Sequence, residues 1–185
     1  LRQLANLAAP GTPVQGRLQL NADVAGPWDA ATARVRARSS RLAYGAYPPV
    51  AVELESDVSA ERAQVARLRV SGNGLGSLTA NGTVAFAGAQ ESNLEARLNA
   101  LRVARFAQPF DLPITPATTV SGPLTLRWRH DAWQQARASA KLTLAADGEA
   151  AEKQLPVEGE LNLNADGRIA SVNIASLRTL GTELT

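Results

Sequence analysis

The chain has one histidine, His130, and with its neighbour Asp131 it forms a pair of the type that can act as a general base. In the surrounding run RWRHDAW, no obvious nucleophile lies nearby in sequence. A His–Asp pair in such a polar stretch is more often part of a surface turn than of a catalytic centre. We therefore predict that the chain is not an enzyme.

Two groups of carboxylates come closest to the clustering that a metal ion requires. The first is Glu53, Glu55 and Asp57, and the second is Asp147, Glu149 and Glu152. The first group alternates with Val52, Leu54 and Val58, a pattern typical of the solvent-facing side of a strand. No metal site and no cofactor are predicted.

The glycine-rich run GNGLG at 72–76 has the composition of a phosphate-binding loop. It lacks the lysine of such loops, and no helical pattern follows it. A hairpin turn is the better interpretation of this run.

Arginines occupy alternate positions at Arg34, Arg36 and Arg38, with Arg41 nearby. They could form a phosphate-binding row, but the intervening Val35 favours a solvated strand face. The chain has 19 basic and 17 acidic residues and a net charge of +2, a weak electrostatic signal for nucleic acid. No nucleic-acid partner is predicted.

Composition indicates a folded chain, with 45% hydrophobic and 19% charged residues among 185. The sequence has no methionine and no cysteine, so we expect an internal slice of a longer protein that tolerates an oxidising compartment. No apolar run approaches the roughly 20 residues of a membrane-spanning helix. Any anchor would lie outside this segment.

Strict alternation of apolar and polar residues is the main structural signal, as in VQGRLQLNADV at 14–24. A short template, apolar-x-Gly-x-apolar-x-apolar, recurs with its glycine at Gly16, Gly82, Gly122 and Gly159. Each copy is followed by a turn and a second alternating strand. We expect one β-repeat segment over 1–185, with repeats near 14–44, 63–101, 118–146 and 155–180.

Turn chemistry supports antiparallel hairpins, since Asn-Gly or Asp-Gly pairs occur at 73–74, 81–82, 147–148 and 166–167. An additional hairpin is expected from PVAVELESDV and AQVARLRVSG. Two segments are compatible with helix, RQLANLA at 2–8 and SAERAQVARL at 59–68, and the second favours a strand. Each template glycine marks either a close backbone approach or the start of a strand after a turn.

The apolar side of such a sheet needs a cover: a second sheet, closure into a barrel, or something that is not this protein. No long helix-period segment is available, and the inward-facing residues are mostly Ala, Val and Leu. We predict an all-β fold, an elongated and curled antiparallel sheet with an apolar concave interior. Its natural occupant is an acyl chain.

The run VARLRVSGNGLGSLTANGTVAF at 65–86 resembles the repeats of the TamB and AsmA-like bacterial envelope proteins. The run LQLNADVAGPWDAATARVRARSSRLAYG at 18–45 is similar to the same family's strand, turn and aromatic-Gly hairpin. The similarity is one of pattern and covers most of the chain.

The resemblance implies a long β-taco or β-groove protein of the periplasm of a Gram-negative bacterium, anchored in the inner membrane. It implies transport of phospholipid to the outer membrane. It also implies assembly of outer-membrane proteins beside a TamA-like barrel, as in the translocation and assembly module.

Two functions from different classes remain open. The first is a lipid conduit, whose apolar groove would carry phospholipid acyl chains between the membranes. The second is a scaffold for outer-membrane protein assembly, which would bind extended client strands by β-augmentation. A third class, an extracellular β-repeat adhesin, has little support in the composition of the turns.

The residues that we predict to line the groove share the apolar phase of the alternating strands. They are Leu18, Leu20, Val35, Val52, Leu54, Val84, Phe86, Leu94, Leu98, Leu124, Leu126, Trp128, Leu142, Leu144, Leu161, Leu163, Val172 and Ile174.

Overall fold

The computed structural model describes residues 14–27, 30–87, 90–107, 113–148, 154–167, 169–179 and 182–184. Their fold is all-β, as the alternating patterns predicted. The strands are β1 (Val14–Gly16), β2 (Gln19–Ala25), β3 (Thr32–Tyr44), β4 (Val50–Val58), β5 (Arg62–Gly72), β6 (Gly76–Ala85), β7 (Glu91–Arg102), β8 (Thr115–Pro116), β9 (Thr118–Arg129), β10 (Arg137–Ala146), β11 (Gln154–Leu155), β12 (Glu158–Asp166), β13 (Ile169–Thr179) and β14 (Thr182–Leu184).

Twelve of these strands form one open antiparallel sheet, in the order β1-β3-β4-β5-β6-β7-β9-β10-β12-β13-β14, with β2 also paired to β3. The order follows the chain almost without interruption, as expected for successive hairpins. Within the described ranges the sheet is not closed into a barrel, because the strands at its two ends do not pair with each other. Strands β8 and β11 form a separate parallel pair.

The two faces of the sheet differ in chemistry because side chains alternate along each strand. In β10, Ala138, Ala140 and Leu142 are half-buried or buried, whereas Ser139 and Lys141 between them are exposed. Residues directly opposite each other on paired strands share a face. The pairing therefore carries one apolar face and one polar face from β2 to β13.

The four template glycines have one conformation in common. Gly16, Gly82, Gly122 and Gly159 have φ angles between +133° and +146°. A β-carbon at any of them would fall on the carbonyl oxygen of a residue in a neighbouring strand. All four lie in strands: Gly16 ends β1, Gly82 and Gly122 lie inside β6 and β9, and Gly159 is the second residue of β12. The glycines thus mark a close backbone approach.

A register shift accompanies each of these glycines. In β1 and β2 the shift lies between Gly16 and Gln19, and in β12 it lies at Glu160/Leu161, next to Gly159. The other two shifts lie in the partner strands, beside Val65, which pairs with Gly82, and beside Leu98, which pairs with Gly122. Such irregularities bend a strand and increase its local twist. Each repeated glycine therefore sits at a position where the sheet departs from regular pairing.

The hairpin turns predicted at 73–74 and 166–167 and the additional hairpin are confirmed, whereas the segment after 147–148 lies outside the described residues. β4 pairs with β5, the turn at 73–75 joins β5 to β6, and Gly167 lies in the turn between β12 and β13. The ambiguous segment 59–68 contributes to strand β5 rather than to a helix. The other helix candidate, 2–8, lies outside the described residues. Asn81 and Gly82 lie inside β6 and form no turn.

Three short elements were not predicted. They are helix α1 (Val103–Ala107), the 3-10 turn His130–Gln135, and the parallel pair of β8 with β11. The strand expected at 14–24 is also divided into β1 and β2. The division occurs because residues 39–41 of β3 lie opposite only two residues, Arg17 and Leu18, so the regular pairing is interrupted. No helix in the described ranges has both the length and the hydropathy needed to cross a membrane.

Candidate functional site

His130 lies at the start of the exposed 3-10 turn after β9. The Asp131 carboxylate accepts a hydrogen bond from Arg129, with 2.9 Å between Arg129 Nη2 and Asp131 Oδ2. Both side chains of this ion pair are at least half exposed. The carboxylate that would orient the imidazole of a general base is thus held by an arginine instead.

The run at 72–76 forms the hairpin turn between β5 and β6. Leu75 is 3% exposed, its N–H donates to the Gly72 carbonyl at 3.1 Å, and its carbonyl accepts from the Arg102 N–H at 3.1 Å. The N–H and the carbonyl of Leu75 are thus both used within the fold. This geometry is that of a hairpin turn hydrogen-bonded to the neighbouring strand, and not that of an open phosphate-binding loop.

The polar face carries a ladder of opposite charges across three strands. Arg34, Arg36 and Arg38 of β3 stand opposite Asp57, Glu55 and Glu53 of β4, and the two glutamates stand opposite Arg67 and Arg69 of β5. Arg34 Nε lies 3.1 Å from Asp57 Oδ1. The first group of carboxylates considered as metal ligands thus faces arginines. In the second group, Asp147 pairs with Arg102, whereas Glu149 and Glu152 lie outside the described residues. No metal-binding cluster occurs among the residues that the structure describes.

The apolar face collects most of the predicted groove residues. Sixteen of the eighteen share one face by strand pairing, which links them through the partners Leu20↔Ala37, Ala37↔Leu54, Leu94↔Leu126, Leu142↔Leu161 and Leu161↔Ile174, among others. Residues that were predicted separately on nine strands therefore form one surface.

Two predicted residues fall outside that pairing. Leu18 lies at the break between β1 and β2, where no partner fixes its face. Phe86 follows the end of β6, is 41% exposed, and donates its N–H to the Glu61 carbonyl at 2.7 Å. The pairings therefore do not assign these two side chains to the apolar face.

One line of apolar residues crosses the sheet without interruption, perpendicular to the strands. We call it the central apolar row. Its members, each directly opposite the next, are Leu20, Ala37, Leu54, Leu68, Ala80, Ala96, Leu124, Ala140, Leu163 and Val172. At a strand spacing of about 4.8 Å, ten strands give the row a length of roughly 40 Å.

Burial along the central apolar row differs between most of its alanines and its leucines. Ala37, Ala80 and Ala140 are 6–8% exposed, whereas Ala96 is half-buried and every leucine of the row is half-buried or exposed. Of the eighteen predicted groove residues, only Leu142 is buried. A second packed layer would bury the leucines as completely as the alanines. No described element provides such a layer.

The edges of the apolar face are the most exposed. Leu20 and Val24 of β2 are 61% and 71% exposed, and Val172 and Ile174 of β13 are 61% and 45% exposed. Large apolar side chains at both ends of the sheet therefore remain in contact with solvent.

The predicted set also omits other apolar residues of this face, among them Val65, Leu68, Val70 and Leu78. A register shift in β5 between Val65 and Leu68 interrupts the alternation there, which gave the segment its helix-like spacing. Leu78 alternates regularly with Ala80, Gly82 and Val84, and this signal could have identified it.

In comparisons with known proteins, no family model, no curated protein and no solved structure matches this chain.

Proposed function

We propose that this chain is a segment of a periplasmic lipid conduit that carries phospholipid acyl chains along its apolar face, between the inner and outer membranes. The observation that supports this most directly is the central apolar row, whose leucines lack a covering protein layer among the described residues. An open apolar surface of this extent is a binding surface or an aggregation hazard.

An acyl chain suits this surface on energetic grounds. Each methylene withdrawn from water contributes about 0.8 kcal/mol, so a chain lying on leucines gains with every carbon it covers. The alanines between the leucines leave shallow space for a linear ligand. The contact is non-directional, which permits a lipid to slide from one strand to the next.

Curling of the sheet toward the apolar face belongs to the same proposal. The template glycines Gly16, Gly82, Gly122 and Gly159 recur on the apolar phase beside register shifts. A residue without a β-carbon leaves room on the inner side of a bend. Repeated bends of this type would turn the apolar face into the concave, groove-forming side.

The cellular setting is proposed from the resemblance of the repeats at 18–45 and 65–86 to TamB and AsmA-like proteins. The parent protein would be anchored in the inner membrane and would meet a TamA-like barrel in the outer membrane. Phospholipid is the proposed cargo, and this segment would form part of the path through the periplasm.

Native mass spectrometry of the purified protein, followed by organic extraction, tests the conduit. We expect phospholipid to co-purify at a reproducible stoichiometry. A stable, lipid-free protein that takes up no phospholipid when it is offered would contradict the proposal.

A second candidate is the scaffold that binds client strands, and the open edges of the sheet favour it. All seven residues of β2 are exposed, and among the described residues β13 pairs with β14 at 177–179 alone. The unpaired backbone of such an edge is a template for an extended peptide.

Hydrogen exchange distinguishes the scaffold from the conduit. An extended outer-membrane-protein peptide should protect backbone amides of β2 or β13 if it adds a strand. Protection confined to the interior strands, or none, would exclude β-augmentation at these edges. Lipid binding on the apolar face would leave the edge amides unprotected.

A further inference from the structure

A cavity of about 670 Å³ is lined mainly by polar-face residues of β2, β3, β4 and β5, and by Arg17, which precedes β2. The regular pairing is interrupted here twice, between Gly16 and Gln19 and between Ser39 and Leu42. Bulges of this kind kink a sheet. They account for a concave site on the face opposite the apolar row.

Three arginines line this cavity, Arg17, Arg38 and Arg69, together with Gln19 and Glu53. Glu53 stands opposite both Arg38 and Arg69 in the strand pairing. Within the described part of the chain, none of the three guanidinium groups makes an ion pair or a hydrogen bond. The cavity therefore concentrates three unpaired cations against one carboxylate.

What distinguishes the cavity is that three arginines line one concave site. Arg34, on the same strand and face, forms an ion pair with Asp57. Arginine presents several N–H donors in a planar fork that matches a phosphate or a carboxylate. Ser40 and Ser71 add hydroxyl groups to the lining.

We propose that this cavity binds a phosphate group through Arg17, Arg38 and Arg69. The group belongs either to a soluble phosphate or to an anionic lipid headgroup. Most of its lining residues belong to the polar phase, and none is a member of the central apolar row, although Val52 of the apolar face also contributes. The site is therefore distinct from the row on which the proposed function depends.

Titration of the protein with inorganic phosphate at low ionic strength, followed by NMR of the arginine side-chain N–H signals, tests the site. We expect saturable shifts at the three arginines. The double variant Arg38→Gln/Arg69→Gln should weaken binding at least about tenfold, because two charge-assisted contacts are lost. Glu53→Gln should tighten binding.

Arg97→Gln is the matched control, because Arg97 is an exposed arginine on the same face but outside the cavity. Its loss should change the affinity less than about twofold, as expected for a screened surface charge. All these side chains are exposed, so the variants should fold normally. Shifts that do not saturate, or an equal loss of affinity in Arg97→Gln, would overturn the proposal.

Vesicles identify the source of the phosphate. The site binds a lipid headgroup if the protein binds phosphatidic acid vesicles but not phosphatidylcholine vesicles, and if this binding requires Arg38 and Arg69. Binding of inorganic phosphate without vesicle binding assigns it to a soluble phosphate. Leu126→Asp on the apolar face should leave phosphate binding unchanged, so the two proposals fail independently.

Discussion

At the scale of the residue, the glycines of the template have a defined physical role. Their positive φ angles and the nearby carbonyl oxygens exclude a β-carbon. The sequence predicted that these positions were special because they recur in phase with the apolar residues. The sequence could not show whether each glycine marks a close approach between two backbones or the start of a strand. Glycine is common in both situations, and only the position of the neighbouring strand distinguishes them.

Replacing one template glycine should therefore destabilise the sheet. Gly122→Ala should lower the free energy of unfolding by about 2–4 kcal/mol. The new methyl group would clash with the Lys141 carbonyl oxygen, and alanine would have to adopt the unfavourable positive φ of this position. Gly148→Ala is the control, with a φ of +74° but open space around it. Urea denaturation measures both, and an equal, small effect would show that the close approach does not matter.

A second residue-scale prediction concerns Thr118, which is 2% exposed and joins β9 to the segment before β12. Its hydroxyl donates to the Val157 carbonyl at 3.0 Å and accepts from the Val157 N–H at 3.1 Å. Thr118→Val keeps the shape and removes both bonds, so we expect a loss of about 2–3 kcal/mol.

The control for Thr118 is Thr143→Val, since Thr143 is exposed on β10. It should change the free energy of unfolding by less than about 0.5 kcal/mol. Thermal or urea unfolding of both variants compares them directly. Similar stabilities would mean that the paired hydrogen bonds at Thr118 contribute nothing.

At the scale of the element, alternation predicted the strands and the hairpins, and it predicted the segment 59–68 as strand. It did not predict the bulges, since a register shift depends on which residue of the partner strand is skipped. The break at Arg17 and the shift between Val65 and Leu68 both have this origin. Helix α1 and the β8–β11 pair are too short for a periodic signal.

The charge ladder also belongs to this scale. Arg34 and Asp57 form an ion pair whose side chains are 63% and 58% exposed. Water and salt screen such a pair, so Arg34→Gln should cost less than about 1 kcal/mol. A urea unfolding curve at low and high salt checks this. A larger loss would indicate that the charge ladder contributes substantially to the stability of the sheet.

At the scale of the whole molecule, the predicted groove residues became one surface only through the strand pairing. The sequence supplied the apolar phase of each strand, and the pairing supplied the row from Leu20 to Val172. Whether a surface is covered depends on the entire chain, and no local pattern contains that information. The proposed conduit depends on the partial exposure of these leucines.

A single charge on this surface should abolish lipid binding while the fold is retained. Leu126→Asp places a carboxylate on the half-buried apolar face, and we expect co-purifying phospholipid to fall at least about tenfold while the free energy of unfolding falls by less than about 2 kcal/mol. Ser139→Asp, exposed on the polar face, is the matched control and should retain lipid. Native mass spectrometry and urea unfolding give the two readouts.

The contact between lipid and protein can be measured directly by photo-crosslinking. A photoreactive amino acid at Leu163, on the central apolar row, should crosslink to phospholipid in cells or in lipid-loaded protein. The same amino acid at the adjacent Asn164, on the polar face, should not. Lipid adducts at position 163 and their absence at 164 are the result that the account predicts. Equal labelling of the two positions, or no labelling at 163, would contradict it.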